Sequence, residues 1–232
     1  MHIKIIHGCR NAGEADGLAV IIDVFRAFSV EAILLQKHAK KIIPVGGLEQ
    51  AWQLKQQYPA AVLCGERGGA KVEGFDFGNS PSQLEHADLT GKAVIHTTSA
   101  GTQGIANAVH AEEILGGCLL NAEATAAYIR KRQPQTVSLV CTLHLQEPET
   151  GEDYLCARYL QSLLEDRPLA DLQDRIEALK QTTGAKFFDS QQQQVFPEQD
   201  FHLCTRVNTV PFFLRLTTDP ETGLPVMEKI EP

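Results

Sequence analysis

The chain has 232 residues, of which 43% are hydrophobic and 22% are charged, and its formal net charge at pH 7 is -8. This length suffices for one sizeable hydrophobic core. The acidic balance lacks the excess of Lys and Arg that sequence-independent binding to nucleic acid requires. The sequence contains no run of about 18 apolar residues and no apolar signal peptide at its start. We therefore expect a cytoplasmic protein that binds neither nucleic acid nor membranes.

Short apolar runs alternate with amphipathic segments through most of the chain. The runs predict strands at residues 3–6, 18–24, 41–45, 60–64, 93–97, 113–117 and 136–141. Apolar residues at three- and four-residue spacing predict helices at residues 27–38, 48–57, 101–110 and 121–132. Strands that alternate with helices imply parallel pairing, and nearly continuous apolar strands such as LAVII fit a sheet covered on both faces.

The last part of the chain has a different pattern. Residues 151–164 and 170–182 predict two further helices, and DSQQQQ at 189–194 predicts an exposed loop. Two strands are predicted around the turn DPETG, with Pro211 and Pro225 at the start of a strand or at a sheet edge. The predicted fold is α/β, a mostly parallel sheet with helices on both faces plus C-terminal helices and a hairpin. Residues 1–165 are expected to carry the site, and 166–232 to pack on the same core or form a smaller subdomain.

Cysteine and histidine patterns argue against a metal site built from these residues. The six cysteines include no C-x-x-C pair, and we expect most of them to be small buried hydrophobes. The eight histidines form no H-x-x-x-H or H-E-x-x-H arrangement. His96 lies in an apolar strand, and we expect it to be a hydrogen-bonded core residue.

Polar residues follow four of the predicted strands. Ligands of an open parallel sheet bind outside the carboxyl ends of its strands, so these residues are expected to converge at one edge. They are Asp23-Val24-Phe25-Arg26 after LAVII, Gly65-Glu66-Arg67-Gly68-Gly69 after AAVLC, Thr97 to Thr102 after AVIH, and Glu152 with Asp153 beyond SLVC.

This set is typical of phosphate chemistry with a hard metal ion. Backbone N–H groups and hydroxyls in TTSAGT can bind an anion, and Arg26 and Arg67 can hold phosphate oxygens in bidentate fashion. The neighbouring carboxylates would repel phosphate unless a cation lay between them, and all-oxygen ligands suit Mg²⁺ or Mn²⁺. Each feature also has a structural alternative. The hydroxyls can cap a helix, Asp23 and Arg26 can form an ion pair, and Glu152 and Asp153 can favour a helix N-terminus.

Other phosphate motifs are absent from the sequence. It contains no G-x-x-x-x-G-K-[ST] loop and no G-x-G-x-x-G between the first strand and helix. Asp23-Val24-Phe25 lacks the second carboxylate of the D-x-D phosphatases, and no cysteine lies five residues before an arginine at a loop-helix junction. Metal-assisted attack by water is the remaining simple route.

Five motifs, in this order, resemble the 2-phosphosulfolactate phosphatase family: IIDVFRAFSV, IIPVGGLEQA, GERGGAKVEGFDFGNSP, VIHTTSAGTQG and EDYLCARYL. The resemblance spans residues 18–164, with a weaker echo in DFHLC at 200–204. It implies a Mg²⁺-dependent acid phosphatase that hydrolyses (2R)-phospho-3-sulfolactate to 3-sulfolactate and phosphate in coenzyme M synthesis, on an α/β fold that forms homodimers. The sequence departs from the family pattern at the start of one helix, where other members resemble TTTNGT and Ala100 stands in place of the Asn.

The resulting hypothesis gives each residue a role. Arg26 and Arg67 clamp the phosphate, Glu66 deprotonates the attacking water, and the Mg²⁺ ligands are Asp23, Glu66, Glu152 and Asp153. The expected substrate contacts are Lys71, Asn79, Thr97, Thr98, Ser99, Gly101 and Thr102. Three alternatives stay open: a phosphatase of another small phosphorylated acid, a non-catalytic sensor of such an acid, and a nucleotide-dependent transferase.

Overall fold

The computed structural model describes residues 1–143, 146 and 148–232. Its strands form one ten-stranded sheet, in the order β1-β8-β2-β7-β9-β10-β3-β6-β4-β5. The strands are β1 (His2–His7), β2 (Leu18–Ile22), β3 (Lys41–Pro44), β4 (Val62–Arg67), β5 (Ala70–Lys71), β6 (Ala93–Thr97), β7 (Glu113–Gly117), β8 (Thr136–Cys141), β9 (Phe213–Thr218) and β10 (Pro225–Ile230).

Seven strands form two parallel groups, which confirms the predicted α/β class. One group is β1, β8, β2 and β7, and the other is β3, β6 and β4. Successive side chains of a strand point to opposite faces. Accordingly, Leu18, Val20 and Ile22 of β2 belong to one hydrophobic cluster, whereas Ala19 and Ile21 belong to another. Both faces of this group are therefore buried.

Helices cover the two faces: α1 (Ala27–Gln36), α2 (Leu48–Gln57), α3 (Gly101–Asn107), α4 (Ala122–Arg132), α5 (Glu152–Leu164), α6 (Leu172–Ala178) and α7 (Glu198–Cys204). Helix α1 ends before His38, the predicted last residue of the helix, because His38 adopts a left-handed backbone with φ of 64°. Residues 189–194 form mostly exposed turns, as predicted. Within the described ranges, no helix is both long and apolar enough to cross a membrane.

The C-terminal hairpin lies in the middle of the sheet. Strands β9 and β10 pair with each other in antiparallel fashion around the predicted turn. Strand β9 also pairs with β7, through Gly116 and Leu214, and β10 pairs with β3, through Met227 and Ile42. Residues 213–230 thus join the two parallel groups, so strands from the first 165 residues alone do not make a continuous sheet.

Helix α3 connects the two groups at their carboxyl ends. It follows β6, yet its residue Gly104 packs against Ile21 of β2 and Thr142, the residue after β8. A Cβ at Gly104 would lie 2.7 Å from the Ile21 side chain and 3.2 Å from that of Thr142. Only glycine allows this close approach.

We expect Gly116→Ala to destabilise the fold by about 2 kcal/mol, because overpacking a filled interface costs free energy. The new methyl group would lie 2.6 Å from Phe28 of α1 and 3.2 Å from Leu214 of β9. Gly47→Ala is the matched control, since nothing lies within 4 Å of its Cβ position. Urea denaturation of both variants measures the difference, and equal free energies of unfolding would contradict the proposed packing.

Candidate active site

Three of the four polar strand ends contact one another directly. Glu66, near the end of β4, accepts hydrogen bonds from the N–H of Ser99 at 2.6 Å and from its hydroxyl at 3.1 Å. Gly101 packs so closely on Asp23 that an added Cβ would lie 2.9 Å from the carboxylate Oδ2. The segments after β2, β4 and β6 therefore meet at the carboxyl edge of the sheet.

Asp153, in the first turn of α5, brings in the fourth strand end. Its Oδ1 accepts a hydrogen bond from the N–H of Val24, after β2, at 2.8 Å. Its Oδ2 accepts from the N–H of Thr142, after β8, at 3.0 Å, from the Thr142 hydroxyl at 3.1 Å and from the N–H of Leu143 at 3.2 Å. Burial raises the pKa of Asp153 well above its ordinary value. Both oxygens have protein donors, so this side chain holds two neighbouring strand ends together.

Asp23 is a buried carboxylate with one oxygen available. Its Oδ1 accepts a hydrogen bond from the N–H of Ala27 at 3.0 Å, at the start of α1. Burial is the main cause that raises its pKa to about 6, and the negative charges of Glu152 and Glu66 add to the effect. The positive charge of Lys186 acts in the opposite direction. Asp23 thus lies in a local excess of negative charge.

Glu152, the first residue of α5, is fully buried, and neither of its carboxylate oxygens has a hydrogen-bond partner among the described residues. The hydroxyl of Thr183 lies nearby and lowers the pKa of Glu152, but it does not reach hydrogen-bond geometry. Burial dominates and raises this pKa. An unpaired buried carboxylate is costly unless a cation or a proton compensates it. Glu152 therefore has two oxygens that an added cation can use.

Glu66 holds the glycine-rich segment in place. This segment is the turn of the β4–β5 hairpin, with Gly68 at φ of 61° and Gly69 at φ of 87°, values that favour glycine. The Oε2 of Glu66 accepts a hydrogen bond from the N–H of Gly69 at 2.7 Å. The ring of Phe196 occupies the space that a side chain at Gly69 would need. The glycines therefore serve turn geometry and close packing.

Arg26 has protein partners at both terminal nitrogens. Its Nη1 donates to the carboxylate of Asp200 at 2.7 Å and to the carbonyl of Val195 at 2.9 Å, and its Nη2 donates to the carbonyl of Gly69 at 2.9 Å. The ion pair is buried, with side-chain exposures of 3% for Arg26 and 0% for Asp200. Arg26 thus links the glycine hairpin to the C-terminal segment, and its charge is neutralised without the predicted phosphate.

Arg67 has a different environment. It donates to the carbonyl of Glu66 at 2.6 Å and to the hydroxyl of Thr97 at 2.9 Å, both neutral acceptors. Among the described residues it forms no ion pair within 4.0 Å. Of the two arginines predicted to clamp phosphate, Arg67 is therefore the one with an uncompensated charge.

Two other predicted contacts lie at the sides of the hairpin. Lys71 is exposed, and its ammonium donates to the carbonyl of Phe75 at 3.1 Å. Asn79 is buried, with Oδ1 at 3.3 Å from Nε2 of His96. Nδ1 of His96 lies 2.8 Å from a carboxylate oxygen of Glu31, and this pair is also buried. His96 is therefore a hydrogen-bonded core residue, as predicted.

The hydroxyl-rich run after β6 is largely bonded to itself. The N–H of Thr98 donates to the hydroxyl of Thr102 at 2.9 Å, and the N–H of Thr102 donates to the hydroxyl of Thr98 at 3.1 Å. The N–H of Ser99 is used by Glu66. Thus the amides of Thr98, Ser99 and Thr102 already bind protein acceptors. Thr97 contributes its hydroxyl to Arg67 instead.

Sequence reasoning did not assign roles to the C-terminal residues that contact this site. Lys186 lies in a short 3-10 helical turn, Ala185–Phe188, and its charge acts on Asp23 and Glu152. Phe196 packs on the glycine hairpin. Lys186 and Phe196 belong to no motif, whereas Asp200 lies in the DFHLC echo, which was the one available signal.

The fold and the site together define an α/β protein with a buried carboxylate site at the carboxyl edge of its sheet. The sequence profile of the 2-phosphosulpholactate phosphatase family matches residues 5–217. The chain belongs to this family, whose name denotes phosphoric monoester hydrolases. A relative in Bacillus subtilis, named probable 2-phosphosulfolactate phosphatase, is 30% identical over 233 residues, covering 99% of each chain. One of the same name in Caldicellulosiruptor saccharolyticus is 40% identical over 164 residues, covering 68% of this chain and 67% of its own.

Asp23→Asn is expected to stabilise the metal-free protein at high pH. The pKa of Asp23 is about 6 in the folded protein against an ordinary 3.8, so its buried charge destabilises the fold above pH 6, and this effect disappears as the pH falls below the ordinary value. We expect a gain of about 2 kcal/mol at pH 8 in EDTA, declining towards zero near pH 4. Urea denaturation at both pH values measures it, and a gain independent of pH would contradict the interpretation.

The two arginines should respond differently to truncation. Arg26→Ala leaves the buried carboxylate of Asp200 without its cation, which costs about 3–5 kcal/mol of unfolding free energy. Arg67→Ala removes no ion pair and should cost less than about 1 kcal/mol. Chemical denaturation of the two variants tests this contrast. Equal losses would show that Arg26 is no more important to the fold than Arg67.

Proposed function

We propose that this chain hydrolyses the phosphate ester of a small phosphorylated acid, with (2R)-phospho-3-sulfolactate as the substrate and 3-sulfolactate and phosphate as the products. Membership of the family supports the reaction. The observation that carries the proposal is the pairing of the buried, unpartnered Glu152 with Asp23, on which Glu66 also acts, while Arg67, the residue after Glu66, has no acidic partner among the described residues. Acidic groups for a cation and a basic group for an anion are what a phosphate ester and its metal ion require.

The donor set fits Mg²⁺. Asp23 offers one free oxygen and Glu152 offers two, whereas the oxygens of Asp153 and Glu66 already accept protein hydrogen bonds. Within the described part of the chain, no three His, Cys, Asp or Glu side chains form a ready metal site. Mg²⁺ commonly binds through one or two carboxylates together with waters and substrate phosphate oxygens. When bound, the ion would act as a Lewis acid on the phosphate ester.

The chain's own residues divide the remaining work. Arg67 binds phosphate oxygens with a guanidinium that Thr97 holds in orientation. Asp153 positions the backbone next to Asp23 and Glu152. Glu66 positions Ser99 and the glycine turn, since both of its oxygens accept hydrogen bonds and are poorly placed to take a proton from water. This role for Glu66 differs from the general base expected from the sequence.

Further properties belong to the same proposal. A place in coenzyme M synthesis, a homodimer and action in the cytoplasm are part of it. The net charge of -8 supports a protein that does not bind nucleic acid.

Phosphate release from small phosphorylated carboxylic and sulfonic acids tests the reaction. We expect release with Mg²⁺, fastest from (2R)-phospho-3-sulfolactate, and none in EDTA. Arg67→Ala should lower kcat/KM by roughly 100-fold, because one oriented donor to the phosphate is lost. No release from any of these acids by the wild-type protein would overturn the proposal.

Glu152→Gln tests the metal ligands without relying on turnover. Mg²⁺ should raise the Tm of the wild-type protein, because an ion that binds only the folded state stabilises that state. The variant should lose this shift. Glu123→Gln is the matched control, since Glu123 lies in the first turn of α4 but is exposed, and it should keep the shift. An unchanged shift in the Glu152 variant would exclude that residue as a ligand.

A further inference from the structure

Lys186 lies over aromatic rings, and one of them, that of Phe196, packs on Gly69 of the glycine hairpin. Its Nζ lies 5.0 Å from the centre of the Phe196 ring and 5.5 Å from that of Phe187. The guanidinium of Arg26 also contacts the Phe196 ring, at 5.0 Å. A cation over an aromatic face is stabilised by the ring quadrupole without being neutralised. The rings therefore contact the ammonium of this half-buried residue without supplying an opposite charge.

This ammonium acts on the site at a distance. It is the charge that lowers the pKa of Glu152, and it also lowers that of Asp23. Yet within the described chain Lys186 forms no ion pair within 4.0 Å of any carboxylate. The ammonium thus acts on the two carboxylates without forming an ion pair with them, so it can bind another anionic group.

A comparison with the other cations near the site indicates what Lys186 can bind. Arg26 is neutralised by Asp200, whereas Arg67 and Lys186 have no acidic partner among the described residues. Arg67 comes from the end of β4, and Lys186 comes from the C-terminal segment after α6. Lys186 acts on Asp23 and Glu152, and Arg67 follows Glu66, whose charge also acts on Asp23, so two cations without an acidic partner among the described residues come to this site from different parts of the chain.

We propose that Lys186 binds the phosphate group of the substrate, so that the C-terminal segment contributes an essential contact to the active site. The inference rests on the proposed function and extends it to a residue outside the sequence motifs. A substrate that carries a phosphate, a sulfonate and a carboxylate is repelled by Asp23 and Glu152, and the ammonium of Lys186, whose charge acts on both carboxylates, offsets this repulsion. The phosphate then has two basic contacts, Arg67 and Lys186.

Lys186→Met tests the proposal, because methionine keeps an unbranched apolar stem over the rings and removes the charge. Inorganic phosphate is the probe, titrated calorimetrically in saturating Mg²⁺. We expect phosphate to bind at least 10-fold more weakly and KM for the phosphorylated acid to rise, with an unchanged Tm. Lys186→Arg should restore most of the phosphate affinity.

Lys180→Met is the matched control. Lys180 also lies over aromatic rings, 5.5 Å from Phe188 and 5.8 Å from Phe201, but it pairs with Glu177, and its charge is not among those that act on Asp23 or Glu152. This variant should bind phosphate like the wild-type protein. A merely structural role for Lys186 predicts a lower Tm with unchanged phosphate affinity, and that result would overturn the inference.

The outcomes separate the two proposals. If the wild-type protein releases no phosphate from any acid but Lys186→Met still weakens phosphate binding, the enzymatic proposal fails and the inference about Lys186 stands. If turnover is normal and Lys186→Met binds phosphate as tightly as the wild-type protein, only the inference fails. A wild-type protein that binds no phosphate overturns the inference directly.

Discussion

The burial of Asp23 and Glu152 side by side is the constraint on which the rest of the site depends. Two carboxylates in a poorly solvated place repel each other, and each loses the hydration that stabilises its charge. The raised pKa values of both groups express this cost. This pair has no bonded counter-charge among the described residues, so a bound cation would stabilise it. The basic groups nearby are interpreted together with that cation.

The fold brings the two carboxylates together from distant parts of the chain. Asp23 follows β2, and Glu152 begins α5 after β8, the strand beside β2. Asp153 ties these two strand ends through hydrogen bonds to Val24 and Thr142. Asp153 therefore holds in place the two segments that carry the acidic pair, because both of its oxygens accept hydrogen bonds from them.

Polar and charged groups near the site fall into two kinds. Arg26 with Asp200 and His96 with Glu31 are buried partners in contact, and they hold elements of the scaffold together. Glu152, Arg67 and Lys186 have no partner of opposite charge within ion-pair distance among the described residues. A partnered buried charge contributes to the structure, and losing one member is costly. A charged group without a partner adds no ion pair to the scaffold, and we interpret the three groups here as contacts for a ligand.

Local sequence patterns were sufficient for most of the elements and for bringing several polar residues to one edge of the sheet. The apolar runs predicted β1 to β4 and β6 to β8, and the rule that ligands bind at the carboxyl ends of parallel strands placed Asp23, Glu66, Ser99 and Asp153 near one another. These inferences succeed because strand and helix periodicity are local, and because the alternation of strands with helices by itself implies parallel strands whose carboxyl ends share one edge.

The partners of each charged side chain were decided only by tertiary structure. The sequence did not reveal that β9 and β10 join the two halves of the sheet, that Arg26 pairs with Asp200, or that Lys186 lies beside the carboxylates. Such contacts join residues far apart in the sequence, 174 positions in the case of Arg26 and Asp200, and no local periodicity encodes them. Whether an arginine serves the scaffold or a ligand depends on which carboxylate lies within reach after the chain has folded, and that distance exists only in three dimensions.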